Sequence, residues 1–168
     1  MALISVPFMP QDGTITIEDA TGSPITLTVQ YEAGDLSVDG FQQDNKTHIP
    51  LFDRGSIFGL RKEQDEPISF SFSAIATDIT DGTEKTIIDA FNKSGAFASG
   101  VSTLGANADV WAVKMTWTGE QTDFGAGADS TITLDYCVAK VSFQEGAPAT
   151  FNVSGTAYPI NGAGIGIA

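Results

Sequence analysis

The chain has 168 residues, 21 of them acidic and 8 basic, for a formal net charge of −13; charged residues are only 17% of the total and hydrophobic ones 42%. It is too apolar and too rich in β-branched residues to be disordered. It is too acidic to hold nucleic acid by phosphate neutralisation, which needs clustered Lys and Arg. The length suits one domain with a real core and is too short for two large ones.

The first ten residues are apolar but carry no basic segment and are cut by Pro7 and Pro10, so they read as an arm rather than a signal peptide. No run approaches the roughly 18 apolar residues of a membrane helix, and a soluble chain made in the cytoplasm is expected. Ile15 and Ile17 then alternate with Thr14, Thr16 and Glu18, and Ile25, Leu27, Val29 and Tyr31 alternate with polar residues. Leu36 and Val38 alternate with Ser37 and Asp39. Each run reads as a strand with one wet face.

From Phe41 to Glu66 the alternation lapses. Lys46, Arg54, Arg61 and Lys62 lie here with five acids, which leaves this segment at −1 and the other 142 residues at −12. Connections of this length are usually functional or disordered, and Ile49, Leu51, Phe52, Ile57, Phe58 and Leu60 argue against disorder. Two readings stand: a hairpin packed on its own domain, or an arm that docks on another subunit. The second fits apolar residues alternating with charges, as at an interface rim.

Alternation resumes at Ile68, Phe70 and Phe72. A helix is expected over about 83–93, capped by Asp81 with Glu84 completing a capping box, striped by Ile87, Ile88 and Phe91, and stopped by Gly95. Trp111, Val113, Met115 and Trp117 share one face of a strand and read as core. In the run 132–143 the apolar phase changes, which predicts a bulge or bend near Ala139. Cys137 lies in this run; as the only cysteine it excludes an intrachain disulfide and reads as a small buried hydrophobe. Phe151 and Val153 mark the last strand. The pattern as a whole predicts a mainly β protein: an antiparallel β-sandwich or barrel of about 7–8 strands with one flanking α-helix and a long protruding loop.

No catalytic or metal constellation stands out. The stretch 78–84 lacks calcium-loop spacing and is explained by helix capping. One Cys and one His cannot build a zinc site. His48 has no G-x-S-x-G elbow to serve, and no carboxylate pair is singled out. Neither enzymatic activity nor a cofactor is expected. The glycine-rich end, Gly162, Gly164 and Gly166, reads as a flexible or docked tail.

This order of elements resembles the major tail proteins of long-tailed bacteriophages, the tail tube subunits, whose fold is shared with the Hcp tube protein of type VI secretion. The residues that carry the resemblance are the two early strands, the strand 36–40 feeding the arm 41–66, a strand leading into a single helix, and three late strands. The last of these carries Thr150-Phe-Asn-Val-Ser-Gly-Thr-Ala157. The resemblance implies one tail-tube domain over 1–168, with an N-terminal arm 1–11, an inter-subunit loop 41–66, a helix 83–94 and a C-terminal tail 161–168. It implies a structural virion protein whose homo-hexameric rings stack into a tube that genomic DNA leaves through, without specific binding. It further implies tape measure, tail terminator and distal tail proteins as partners, no membrane, and a place in the virion tail after assembly in the bacterial cytoplasm.

Interface residues expected on this basis are Phe41, Ile49, Leu51, Phe52, Arg54, Phe58 and Arg61, with Asp35, Asp39 and Asp135 as lumen-facing acids. An acidic wall would let DNA slide without sticking, and salt would strengthen assembly by screening subunit repulsion. The alternatives are a tube protein of a type VI secretion or contractile injection system, or a carbohydrate-binding β-sandwich adhesin with Trp111 or Trp117 exposed.

Overall fold

The computed structural model describes residues 13–29, 35–42, 45–76, 85–119, 128–160 and 163–167. The elements in chain order are β1 (Gly13–Glu18), β2 (Thr26–Val29), β3 (Ser37–Asp39), β4 (Lys46–Asp53), β5 (Ser56–Asp65), β6 (Ile68–Ile75), α1 (Ile87–Asn92), a 3-10 turn (Gly95–Phe97), β7 (Val113–Gly119), β8 (Ser130–Gln144), β9 (Thr150–Ala157) and β10 (Ile165–Ile167). An eight-stranded antiparallel sheet runs in the order β2-β1-β7-β8-β9-β6-β3, with β10 also paired to β8. β4 and β5 form a separate two-stranded sheet. The main sheet curls into a half-barrel, the mainly β architecture with one helix that the alternation predicts.

Period two explains the curl. Ile15 and Ile17, Phe70 and Phe72, Met115 and Trp117, and Phe151 and Val153 all project to one side and are buried there. Residues from β1 near one end of the sheet and β6 near the other join a single cluster with Ile87, Ala90 and Phe91 of α1 and with Phe97. Wrapping the sheet around the helix removes this face from water, at about 1.5–3 kcal/mol for each large side chain buried. Gly13 and Gly119 flank the Trp117 indole so closely that a Cβ at either would overlap the ring.

Several local features differ from the sequence reading. The phase change in β8 falls between Leu134 and Cys137, not near Ala139. Val113 pairs with Cys137 and Met115 with Leu134, so β8 carries one extra residue there. This bulge keeps Leu134 and Cys137 on the same buried side. The helix starts at Ile87, because Thr86 is extended (φ −113°, ψ 160°) and its hydroxyl accepts a hydrogen bond from Asp89 N. The expected caps Asp81 and Glu84 lie outside the described residues. The helix ends at Lys93 in the left-handed region (φ 54°), and Gly95 opens the following 3-10 turn rather than stopping the helix. Trp111 precedes β7 instead of lying on it.

The C-terminal segment is more than a tail. Ile165–Ile167 pairs with Leu134, Thr133 and Ile132 on the edge of β8 that β9 leaves free beyond Ala157. The expected N-terminal arm 1–11 lies outside the described residues.

Two polar residues organise the loops. Buried Asp19 accepts hydrogen bonds from Ile25 N (2.9 Å), Thr21 Oγ1 (3.1 Å) and Val101 N (3.0 Å). Ser102 Oγ donates to Val110 O (2.9 Å) and accepts from Ala112 N (3.0 Å).

Candidate functional site

The segment 41–66 forms a β-hairpin. Its turn is Arg54-Gly55, with φ of 48° and 84°. Two successive positive φ values give the two-residue turn whose twist matches a hairpin. At the base, Lys46 Nζ and Asp65 Oδ1 form an ion pair at 2.8 Å, Gln64 N donates to Thr47 Oγ1 (3.0 Å), Glu66 N donates to Asn45 O (2.7 Å), and Gln42 Nε2 donates to Glu66. These bonds fix where the ribbon leaves β3 and re-enters β6.

Register sorts the hairpin side chains into two faces. His48 opposes Lys62, Pro50 opposes Leu60 and Phe52 opposes Ile57. The bulge beside Leu51 and Phe52 inserts Phe58 opposite this pair. Phe52, Ile57, Phe58 and Leu60 are 61%, 60%, 69% and 69% exposed. On the other face Ile49 opposes Arg61 and Leu51 opposes Gly59; Ile49 and Leu51 are exposed too, at 38% and 37%. Neither strand pairs with the main sheet. Of the interface residues expected from sequence, Ile49, Leu51, Phe52, Arg54, Phe58 and Arg61 gather on this ribbon, while Phe41 lies at its entrance, also exposed. Ile57 and Leu60 belong to the same surface.

The wet face of the main sheet is built largely from hydroxyls. Thr28, Thr16, Thr116 and Thr133 stand in one cross-strand row, and Ser37, Ser71, Ser154 and Lys140 in another. Asp39, Ser69 and Thr156 form a third row. Ser37, Asp39, Ser69, Ser71, Ser154 and Thr156 line a shallow depression of about 480 Å³. At regular strand positions of this face, Glu18 and Asp39 are matched by Lys114 and Lys140. Asp35 is not a free surface charge: it accepts hydrogen bonds from Ser73 N (3.0 and 3.1 Å) and from the Ser73 hydroxyl, beside the end of β3. Asp135 lies half-buried at the β8 bulge, with its N–H bonded to Gly164 O (2.7 Å).

Other candidate groups are structural. Cys137 is buried, donates to Leu134 O (3.3 Å), and burial pushes its thiol far above the ordinary range. Trp117 is in the core, and half-buried Trp111 bonds Ala90 O through Nε1 (2.8 Å) under the Lys93 ammonium. Neither indole offers an open stacking platform. Among the described residues no group of three or more His, Cys, Asp or Glu comes together as a metal site, and no helix is long and apolar enough to cross a membrane.

The chain is similar to the cryo-EM structure of the anti-feeding prophage cap, a tube terminating cap, with a TM-score of 0.57 and 9% identity over 100% of this chain and 95% of that one. At that identity the likeness is one of fold. No family model matches the chain, and no curated protein matches it in sequence.

Proposed function

We propose that this chain is a structural, non-enzymatic subunit of a phage tail or tail-like particle, assembling as hexameric rings that stack into a tube for DNA. The observation that carries this reading is the hairpin. Its four most exposed apolar side chains lie together on a ribbon that, among the described residues, no other strand pairs with. An isolated two-stranded ribbon is marginal in water, and an apolar patch of this size marks an interaction surface. The likeness to a tube terminating cap supports a place in a tail. In this arrangement the hydroxyl-rich face of the sheet lines the lumen, where a wall of hydroxyls and mixed charges gives phosphates no cationic surface to bind. Tape measure, terminator and distal tail proteins are the partners such a tube meets.

A second reading takes the fold likeness at its most specific: the chain is itself a cap, forming one ring that ends a tube. Negative-stain microscopy of the purified chain at high concentration separates the two. Six-fold rings that stack into tubes support the tube subunit, and rings that never stack support the cap. Monomers alone, across salt and protein concentration, would refute both.

A further inference from the structure

The flanks of the main sheet end in side chains rather than in bare strand edges. An uncovered edge presents N–H and C=O groups on which another strand can pair. Along a strand, the backbone groups of successive residues point to alternate sides. Ile25 N is bonded to Asp19 on the β1 side, so the Thr26 carbonyl of β2 faces away from β1. There the Lys85 ammonium, just before α1, donates to it (2.9 Å). On the opposite flank, β3 pairs with β6, Ser37 with Ser71 and Asp39 with Ser69. The next position of that register sets Asp35 opposite Ser73, and the Asp35 carboxylate takes both the Ser73 N–H (3.0 and 3.1 Å) and its hydroxyl. At the other end of β6 stands Pro67, which brings no N–H. Because Ser73 N points to the β3 side, so do the groups of Ser71 and Ser69, and within β3 only Val38 turns its N–H and C=O outward. On β8 the open stretch beyond Ala157 is filled by β10.

We infer that Asp35 and Lys85 are edge latches: they close the two flanks of the main sheet to strand addition, so that free subunits do not join edge to edge until a latch is displaced. A carboxylate on an N–H and an ammonium on a C=O occupy the two kinds of backbone group that an incoming strand would need. Both latch side chains are exposed and neither belongs to the core cluster, so their removal bears on the edges more than on the fold. Their charges cancel. Replacing both by neutral residues leaves the net charge at −13, and the repulsion between copies is unchanged. The latches lie outside the hairpin 41–66, and the inference stands whether or not the chain forms a tube.

The test compares the full-length parent with the Asp35→Ala, Lys85→Met double variant by sedimentation velocity, from concentrations at which the parent is monomeric. The variant should self-associate at about a tenth of the concentration that the parent needs, as expected for two hydrogen bonds lost from the closed edges. Thioflavin fluorescence should rise while the β-type circular dichroism is kept. In the single Asp35→Ala variant the Ser73 amide should exchange with deuterium about tenfold faster; Asp35→Asn, which keeps an acceptor, should restore its protection. The Asp35→Asn, Lys85→Arg pair should stay as monomeric as the parent. A double variant that associates no sooner than the parent, or a Ser73 amide whose exchange does not change, would overturn the inference. Asp19→Ala weakens the fold and leaves both latches in place; association as ready in that variant as in the double one would show that unfolding, not an open edge, is the cause. Should the double variant lose its folded circular dichroism, the single variants and the Ser73 exchange decide the matter.

Discussion

The sharpest consequence of the hairpin concerns Phe52→Asp. Phe52 is 61% exposed; with about 200 Å² for a phenylalanine side chain, docking can cover roughly 120 Å² of it. At about 25 cal/mol/Å² that burial contributes about 3 kcal/mol to each contact, which corresponds to roughly a hundredfold in affinity. A carboxylate in its place adds a desolvation cost. The subunit itself should not suffer, because Phe52 is outside the core cluster and exposed substitutions usually stay within about 0.5 kcal/mol. The expected outcome is a rise of at least tenfold in the critical concentration for assembly, approaching a hundredfold if the whole ring is covered, with an unchanged melting temperature. Sedimentation velocity and light scattering read the first, and calorimetry the second. Assembly at the parent's concentration would refute the docking role. A melting temperature lower by several degrees would show instead that the ring packs on its own subunit.

Three predictions concern the fold. Asp19→Ala strips the acceptor from Ile25 N and Val101 N and should cost about 2–4 kcal/mol in urea unfolding, with Asp19→Asn retaining part of that. Gly119→Val drives a side chain into the Trp117 indole; about 1–3 kcal/mol of stability should be lost, with altered tryptophan fluorescence as the local reporter. Cys137, its thiol held protonated by burial, should resist thiol reagents from pH 7 to 9 in the native protein and react once the protein is unfolded. Because its folded-state pKa is raised, its contribution to stability is complete below the unfolded value of about 8.5 and declines as pH rises past it; a Cys137→Ala variant should lose that alkaline dependence.

The strands were legible because period-two alternation depends only on which side of a ribbon meets water. Ile15 and Ile17, Phe70 and Phe72, and Met115 and Trp117 identify their faces without any partner. The exact site of the β8 bulge was not legible. Ile132 and Leu134 share one phase and Val141 and Phe143 the other, but only pairing with Val113 and Met115 shows that the extra residue lies between Leu134 and Cys137. The helix start was misplaced because Asp81 with Glu84 and Thr86 with Asp89 are both capping pairs, and the extended backbone at Thr86 selects the second. The strand Ile165–Ile167 carried no signal, since three residues among glycines become a strand only when a free edge of β8 is offered.

For the candidate site, composition alone establishes that residues 41–66 combine apolar and charged side chains in a way no simple strand of a compact sheet would. It also determined the near-neutral charge of that segment against the acidic remainder. Only the three-dimensional arrangement shows that the segment is a projecting ribbon and that Phe52, Ile57, Phe58 and Leu60 share one face. It also shows that Asp35 is hydrogen-bonded to Ser73. The physical reason is the same in each case. Composition and periodicity follow from the chain, whereas register, edge pairing and the facing of charges across strands exist only once distant segments are brought side by side.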